Sequence, residues 1–228
     1  FLITFQKMQG TYRQYAKESI IDAKKVFLQD TVNNVILNIE QKQRDQTSYY
    51  KTMCQDIKDR MDRYYAVSPG SFLTASKEFF EQHGRNRVTV LITRAPGDTL
   101  VYTNAPQPSS ASTLRAHMTA TYPVIIAAQY GRDRITWGVS QDTIDAIVKS
   151  EIHDEIHSYQ FSNDSYIWVN EVMNYAGGKD YAIRRIHPNL KDTEGSYLST
   201  DMTDIAGNHP YLTELTGVKQ NGDLFFNY

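Results

Sequence analysis

One cysteine, Cys54, stands in 228 residues, which excludes an intramolecular disulfide framework and a multi-cysteine metal centre. No apolar run approaches the roughly 20 residues that cross a bilayer as a helix. Neither sign of charge dominates, with 24 Lys and Arg against 26 Asp and Glu. That balance gives no reason to expect a nucleic-acid partner or an anionic membrane surface. The G-x-S-x-G pattern of a nucleophile elbow is missing, and so are G-x-G-x-x-G and Walker loops, leaving acyl transfer and nucleotide binding without an anchor. The longest absence is local: from Thr11 to Ser68, fifty-eight residues contain neither glycine nor proline.

Those two residues are the strongest breakers of regular structure, and here they stand only outside the stretch, as Gly10 before it and Pro69-Gly70 after it. Within it, Ile21, Leu28, Val32, Val35 and Ile39 recur at helical spacing, as do Tyr50, Met53, Ile57, Met61 and Tyr64. The sequence predicts one long rod, whose length as an unbroken helix would be roughly 80 Å. Between the two apolar groups, 41–48 (QKQRDQTS) has no apolar side chain and is expected to be surrounded by water. Two shorter helices joined by a polar link are the alternative.

After the rod, Ser71 or Thr74 caps a short helix through Gln82 that ends at Gly84. Val88–Arg94 and Thr99–Asn104 flank the turn residues Ala95-Pro-Gly-Asp98 and read as a hairpin. A short helix around Leu114–Thr119 follows, then strands Tyr122–Gln129 and Arg134–Ser140 and a helix over Gln141–Tyr159. Asp164–Asn174 and Tyr181–His187 read as strands around a turn at Gly177-Gly178, and His209–Leu215 reads as a short helix. The two halves share an order of elements without a residue-level repeat. The fold expected is α+β: a long N-terminal helix over 1–66, a first lobe over 67–145 and a second over 146–228, each with an antiparallel sheet. The second lobe is expected to lack its final strands.

His153 and His157 lie four apart on the predicted helix and share a face, as in zinc-dependent hydrolases that use H-E-x-x-H. Here Asp154 follows the first histidine, Glu155 comes one place late, and no third ligand is spaced nearby. A packed or solvated helix surface is the expectation, with no metal and no cofactor. The competing class is a metal-dependent hydrolase using His153, His157 and a carboxylate such as Glu151. Asn163-Asp-Ser165 also fits a glycosylation acceptor. On strands, Tyr166, Trp168 and Asn170 share one face, and Arg184 and Ile186 share another, with Arg185 and His187 opposite. Two readings fit. Rings, an amide and an edge arginine can converge on a small carboxylate ligand, or the aromatics are core and the arginines a rim.

The strand DSYIWVNE, the return ending in IHPNL and the following EGSYL together resemble the Cache sensor domains of bacterial receptors. The resemblance covers about 145–228. It implies PAS-like lobes carried on a long helix, outside the cytoplasm, with a site formed by Tyr166, Trp168, Asn170, Arg184 and His187. The second-choice site, in the first lobe, is Tyr102, Tyr122, Arg132 and Trp137. The partners implied are a small organic acid or amino acid and a second copy of the chain, paired through the rod. The chain begins at Phe1 with FLITF and ends in LFFNY, as expected of a piece of a membrane-anchored parent in the inner membrane. The parent's output would be a diguanylate cyclase or a histidine kinase.

Overall fold

The computed structural model describes residues 2–83, 87–106, 110–159, 161, 165–222 and 224–225, with side chains from residue 11 onward, His83 excepted. Two compact units emerge, one of Leu37–Ser150 and one of Phe1–Ile36 with Glu151–Tyr228. The rod is one unbroken helix, α1 (Leu2–Val67), so Gly10 does not start it and no link divides it. The polar stretch is held by helical neighbours: Gln41 donates to Asp45 at 2.7 Å, and Arg44 donates to Gln41 at 3.0 Å. Water does not surround it entirely, contrary to expectation. Gln43 and Thr47 are half-buried, and Gln43 donates to Asp145 at 3.2 Å. The helix stops where Pro69 approaches, because a residue preceding proline is pushed out of the helical region.

In the 37–150 unit, α1 contributes Tyr50, Cys54, Ile57 and Met61 to the core. The first turn of α2 (Phe72–His83) places Phe72 against Tyr65 and Tyr130, with ring centroids 5.0 and 4.5 Å away. The predicted stop at Gly84 lies outside the described residues. Strands β1 (Thr89–Arg94) and β2 (Thr99–Thr103) form the predicted hairpin. Helix α3 (Ala111–Thr121) starts earlier than predicted, because Ser110 caps it by accepting the Thr113 N–H at 3.1 Å. Strands β3 (Val124–Tyr130) and β4 (Asp133–Val139) complete an antiparallel sheet of order β2-β1-β4-β3. Leu91 faces Ala111, Leu114 and Met118 of α3. From the other face, Trp137 donates its indole N–H to the Cys54 carbonyl at 3.1 Å. Helix α4 (Gln141–Ser158) closes this unit with Ile144 and Val148 buried.

In the other unit, β5 (Val169–Val172), β6 (Ala182–Ile186) and β7 (Tyr197–Leu198) make a three-stranded antiparallel sheet. A single 3-10 turn, Lys191–Thr193, lies between β6 and β7. Helix α5 (Pro210–Asn221) begins with proline at its first position and ends at Gly222, whose φ of 79° is the left-handed cap. It runs well past the predicted Leu215. Tyr181, Ala182, Leu198 and Leu215 form the core here, with Val172 and Tyr211 against it. The predicted strand Asp164–Asn174 contracts to four residues. Tyr166 and Trp168 precede it in irregular backbone, and Asp164 is outside the described residues.

Candidate functional site

Strand alternation fails where the expected site needed it. Val169 pairs with Ile186, but Asn170 pairs with Arg184, so Arg185 is an extra residue on β6. Across such a bulge the two-residue period no longer assigns faces. Paired residues still share a side, which puts Asn170 with Arg184 and Val172 with Ala182. Tyr166, Trp168 and His187 form a separate aromatic group. The Trp168 and His187 rings stack at 6.0 Å and 7°, and Tyr166 lies 5.1 Å from His187. His187 is buried, and that burial, with the charge of Arg184, holds its imidazole below the ordinary histidine range.

Arg184 is not at an edge. It is 9% exposed, and its guanidinium donates to the Thr193 hydroxyl and, at 2.7 Å, to the Tyr211 hydroxyl. It ties the 3-10 turn and α5 to β6, so it is not the edge arginine that the sequence suggested. Beside it, Asn170 hydrogen-bonds the Glu214 carboxyl, while the Asn170 side-chain oxygen has no partner among the described residues. Burial pushes Glu214 above the ordinary carboxylate range, and the Asn170 bond only partly offsets it. Thr193, Tyr211 and Glu214 belong to this polar seam and were not among the residues singled out in the sequence. Each lies on a segment with no motif of its own.

The histidine pair has the third group that the spacing did not reveal. Glu194 follows the 3-10 turn, and Gly195 after it takes φ 83° while its N–H reaches the Arg184 carbonyl at 2.8 Å. This turn aims the Glu194 carboxylate at α4, where Oε1 lies 2.8 Å from His157 Nε2 and Oε2 lies 3.0 Å from His153 Nε2. Oε1 also accepts the His187 backbone N–H at 2.6 Å. His153 Nδ1 is 3.2 Å from the Asp154 carboxylate. The two imidazoles touch edge to face at 4.4 Å. Glu194 foremost, then Asp154, raises His153 above its ordinary range. Burial would raise Glu194, but the His187 N–H and the two imidazoles outweigh it and bring the carboxyl below its ordinary range. Glu151, the carboxylate first paired with these histidines, is not part of the cluster. Glu194 is 41 residues from His153 and 37 from His157, and only the fold closes that distance.

The first-lobe alternatives are spread apart. Trp137 is fully buried in the core, and Tyr122 donates to Thr89 at 3.1 Å on the α3 side. Arg132 is exposed on the β3–β4 turn, and Tyr102 is paired with Ile92 at the sheet edge. Two shallow depressions in this unit lie elsewhere. One of about 430 Å³ is lined by Gln43, Thr47 and Gln141, and one of about 460 Å³ by Thr89, Asn104 and Asp142. The glycosylation pattern at 163–165 begins outside the described residues.

No protein-family model matches the chain, and neither does any curated protein or solved structure. Among the described residues, no helix is long and apolar enough to cross a membrane.

Proposed function

We propose that this chain is the extracytoplasmic solute-sensing module of a bacterial membrane signalling receptor, of the Cache, PAS-like kind. The observation that carries the reading is the continuity of α1. Its C-terminal part is built into the core of a four-stranded sheet, through Cys54, Ile57 and Met61. The same helix exposes Ile21, Leu28 and Val32, which suit a second copy of the rod. A rod fixed in a sheet at one end is a means of passing a rearrangement along the chain. A ligand shifts such an equilibrium only by binding one arrangement more tightly than the other.

In this reading the module binds and does not catalyse, and the parent's cytoplasmic output is a diguanylate cyclase or a histidine kinase. The solute is a small organic acid or amino acid. Tyr166, Trp168 and His187 supply flat apolar surface for it, and Asn170 and Arg184 supply polar contacts. Because Arg184 already holds Thr193 and Tyr211, a ligand carboxylate takes the place of one of those hydroxyls.

A thermal-shift screen of small organic acids and amino acids tests the reading, repeated on Arg184→Lys, which keeps the charge but not the fork. The expected result is a stabilising ligand whose effect falls at least tenfold in concentration dependence in the variant. A screen with no hit, or a hit that Arg184→Lys binds equally well, removes this site from the reading.

A further inference from the structure

The strongest unassigned chemistry in the molecule is the meeting of two imidazoles and one carboxylate. We infer that His153, His157 and Glu194 bind a divalent transition-metal ion, with zinc the ion their donor set suits best. The inference stands on these three side chains and does not depend on the sensor reading.

The ligand atoms of the three residues all lie within 4.8 Å of one another. Tetrahedral zinc, with bonds of about 2.0–2.1 Å, spaces its ligand atoms roughly 3.3 Å apart. The Nε2 separations of 3.0 Å to Oε2 and 2.8 Å to Oε1 are close to that spacing, and side-chain rotation has to bring the widest separation, bounded at 4.8 Å, within reach of one ion. Two neutral imidazoles with one carboxylate form a borderline nitrogen and oxygen set, favoured by zinc and its neighbours over magnesium or calcium.

Electrostatics points the same way. Asp154 lies 3.2 Å from His153 Nδ1, where it can accept that nitrogen's proton as an outer-shell carboxylate does when Nε2 is given to a metal. In the metal-free chain a proton held between Nε2 and the carboxylate accounts for the 3.0 Å separation, and a divalent ion would take that proton's place. His157 puts its Nε2 on the same carboxylate, and its buried Nδ1 has no hydrogen-bond partner among the described residues. An Nδ1–H there is buried without a hydrogen bond, a cost that metal coordination at Nε2 has to offset. The carboxylate itself is held in place by the His187 N–H, as a pre-oriented ligand is.

Three protein ligands leave a fourth position. It opens on the His153 side, where the side chain is 41% exposed, against 11% for His157 and 17% for Glu194. Asp154, at the place where H-E-x-x-H carries its base, is turned to His153 Nδ1, and Glu155 accepts the Tyr159 hydroxyl at 2.8 Å. Neither carboxylate next to the first histidine is thus set to activate a metal-bound water. Its mechanical effect is to fasten the last turns of α4 to the loop between β6 and β7.

The test uses the whole chain, stripped with a chelator and titrated with Zn²⁺ alone in competition with a chromophoric chelator. One equivalent is expected to bind. Co²⁺ in its place should give the visible d–d absorption of a four-coordinate nitrogen and oxygen site. Glu194→Gln keeps acceptor and shape for the His187 N–H but loses the charge, and His153→Ala removes an exposed ligand. Each should weaken binding by no less than the roughly 10–100-fold that outer-shell changes cost. Metal-free melting temperatures of both variants show whether the fold is intact, and His117→Ala on α3 and His209→Ala just before α5, both exposed, should bind as wild type. Absence of stoichiometric binding overturns the inference. So does binding that survives Glu194→Gln and His153→Ala, or binding that the His117 or His209 change abolishes.

Discussion

At the scale of single residues, the seam beneath α5 shows how a buried polar group sets a pH response. Glu214 is raised above its ordinary carboxyl value of 4.5 by burial. A group with a raised folded value contributes its full stability below the unfolded value and loses it as pH climbs through the folded one. Wild type should therefore lose stability relative to Glu214→Gln as pH rises above the ordinary value of 4.5, and the difference should be smallest below it. Melting temperatures measured across that range give the answer, and a constant offset at all pH values would contradict the burial argument. Cys54 illustrates the opposite, an inert group. It is fully buried, and desolvation pushes its thiol up to about 11.

At the scale of elements, close backbone approach matters more than propensity. Gly138 lies in β4 opposite Ile125, and a Cβ there would sit 2.2 Å from the Val124 carbonyl oxygen and 3.1 Å from the Ile125 Cα. Both obstacles are backbone, so neither can swing aside. Gly138→Ala should cost about 3 kcal/mol or more, read by chemical denaturation as a lower midpoint with an unchanged slope. For α1, the exposed large apolar residues are not confined to the stripe of Ile21, Leu28 and Val32. Val26, Phe27 and Leu37 are exposed on other sides. Pairing through the stripe predicts strong disulfide cross-linking of Leu28→Cys in the membrane-anchored parent and weak cross-linking of its neighbour Gln29→Cys. Equal cross-linking at both would remove the stripe as the dimer seam, and buried Cys54 does not compete.

At the scale of the whole molecule, the compact units do not follow the chain in simple order. Leu37–Ser150 is one unit, and the residues before and after it belong to the other. It holds a four-stranded sheet with helices on both faces and its own buried residues from Tyr50 to Val148. Residues 37–150 made alone should melt in a single cooperative transition, checked by circular dichroism at near- and far-ultraviolet wavelengths. A broad melt without near-ultraviolet signal would mean that this core needs the rest of the chain.

The local levels of the fold were legible because they rest on local physics. Absence of glycine and proline made α1 a helix, and the Pro-Gly-Asp turn set the first hairpin. The α+β class followed from the order of those patterns. What tertiary structure decided were the places where distant groups meet. The strand begins only at Val169, so the alternation that grouped Tyr166 and Trp168 with Asn170 does not exist there, and an extra residue at Arg185 shifts the faces of β6. Arg184 looked like an edge charge, yet Thr193 and Tyr211 make it an internal tie. The histidine pair was visible from its helical spacing, whereas Glu194 was not. Its carboxylate reaches α4 only because a 3-10 turn and a left-handed glycine fold the loop back. Periodicity encodes which side of an element is apolar. It cannot encode which other element arrives on that side, because that depends on the packing of the whole chain.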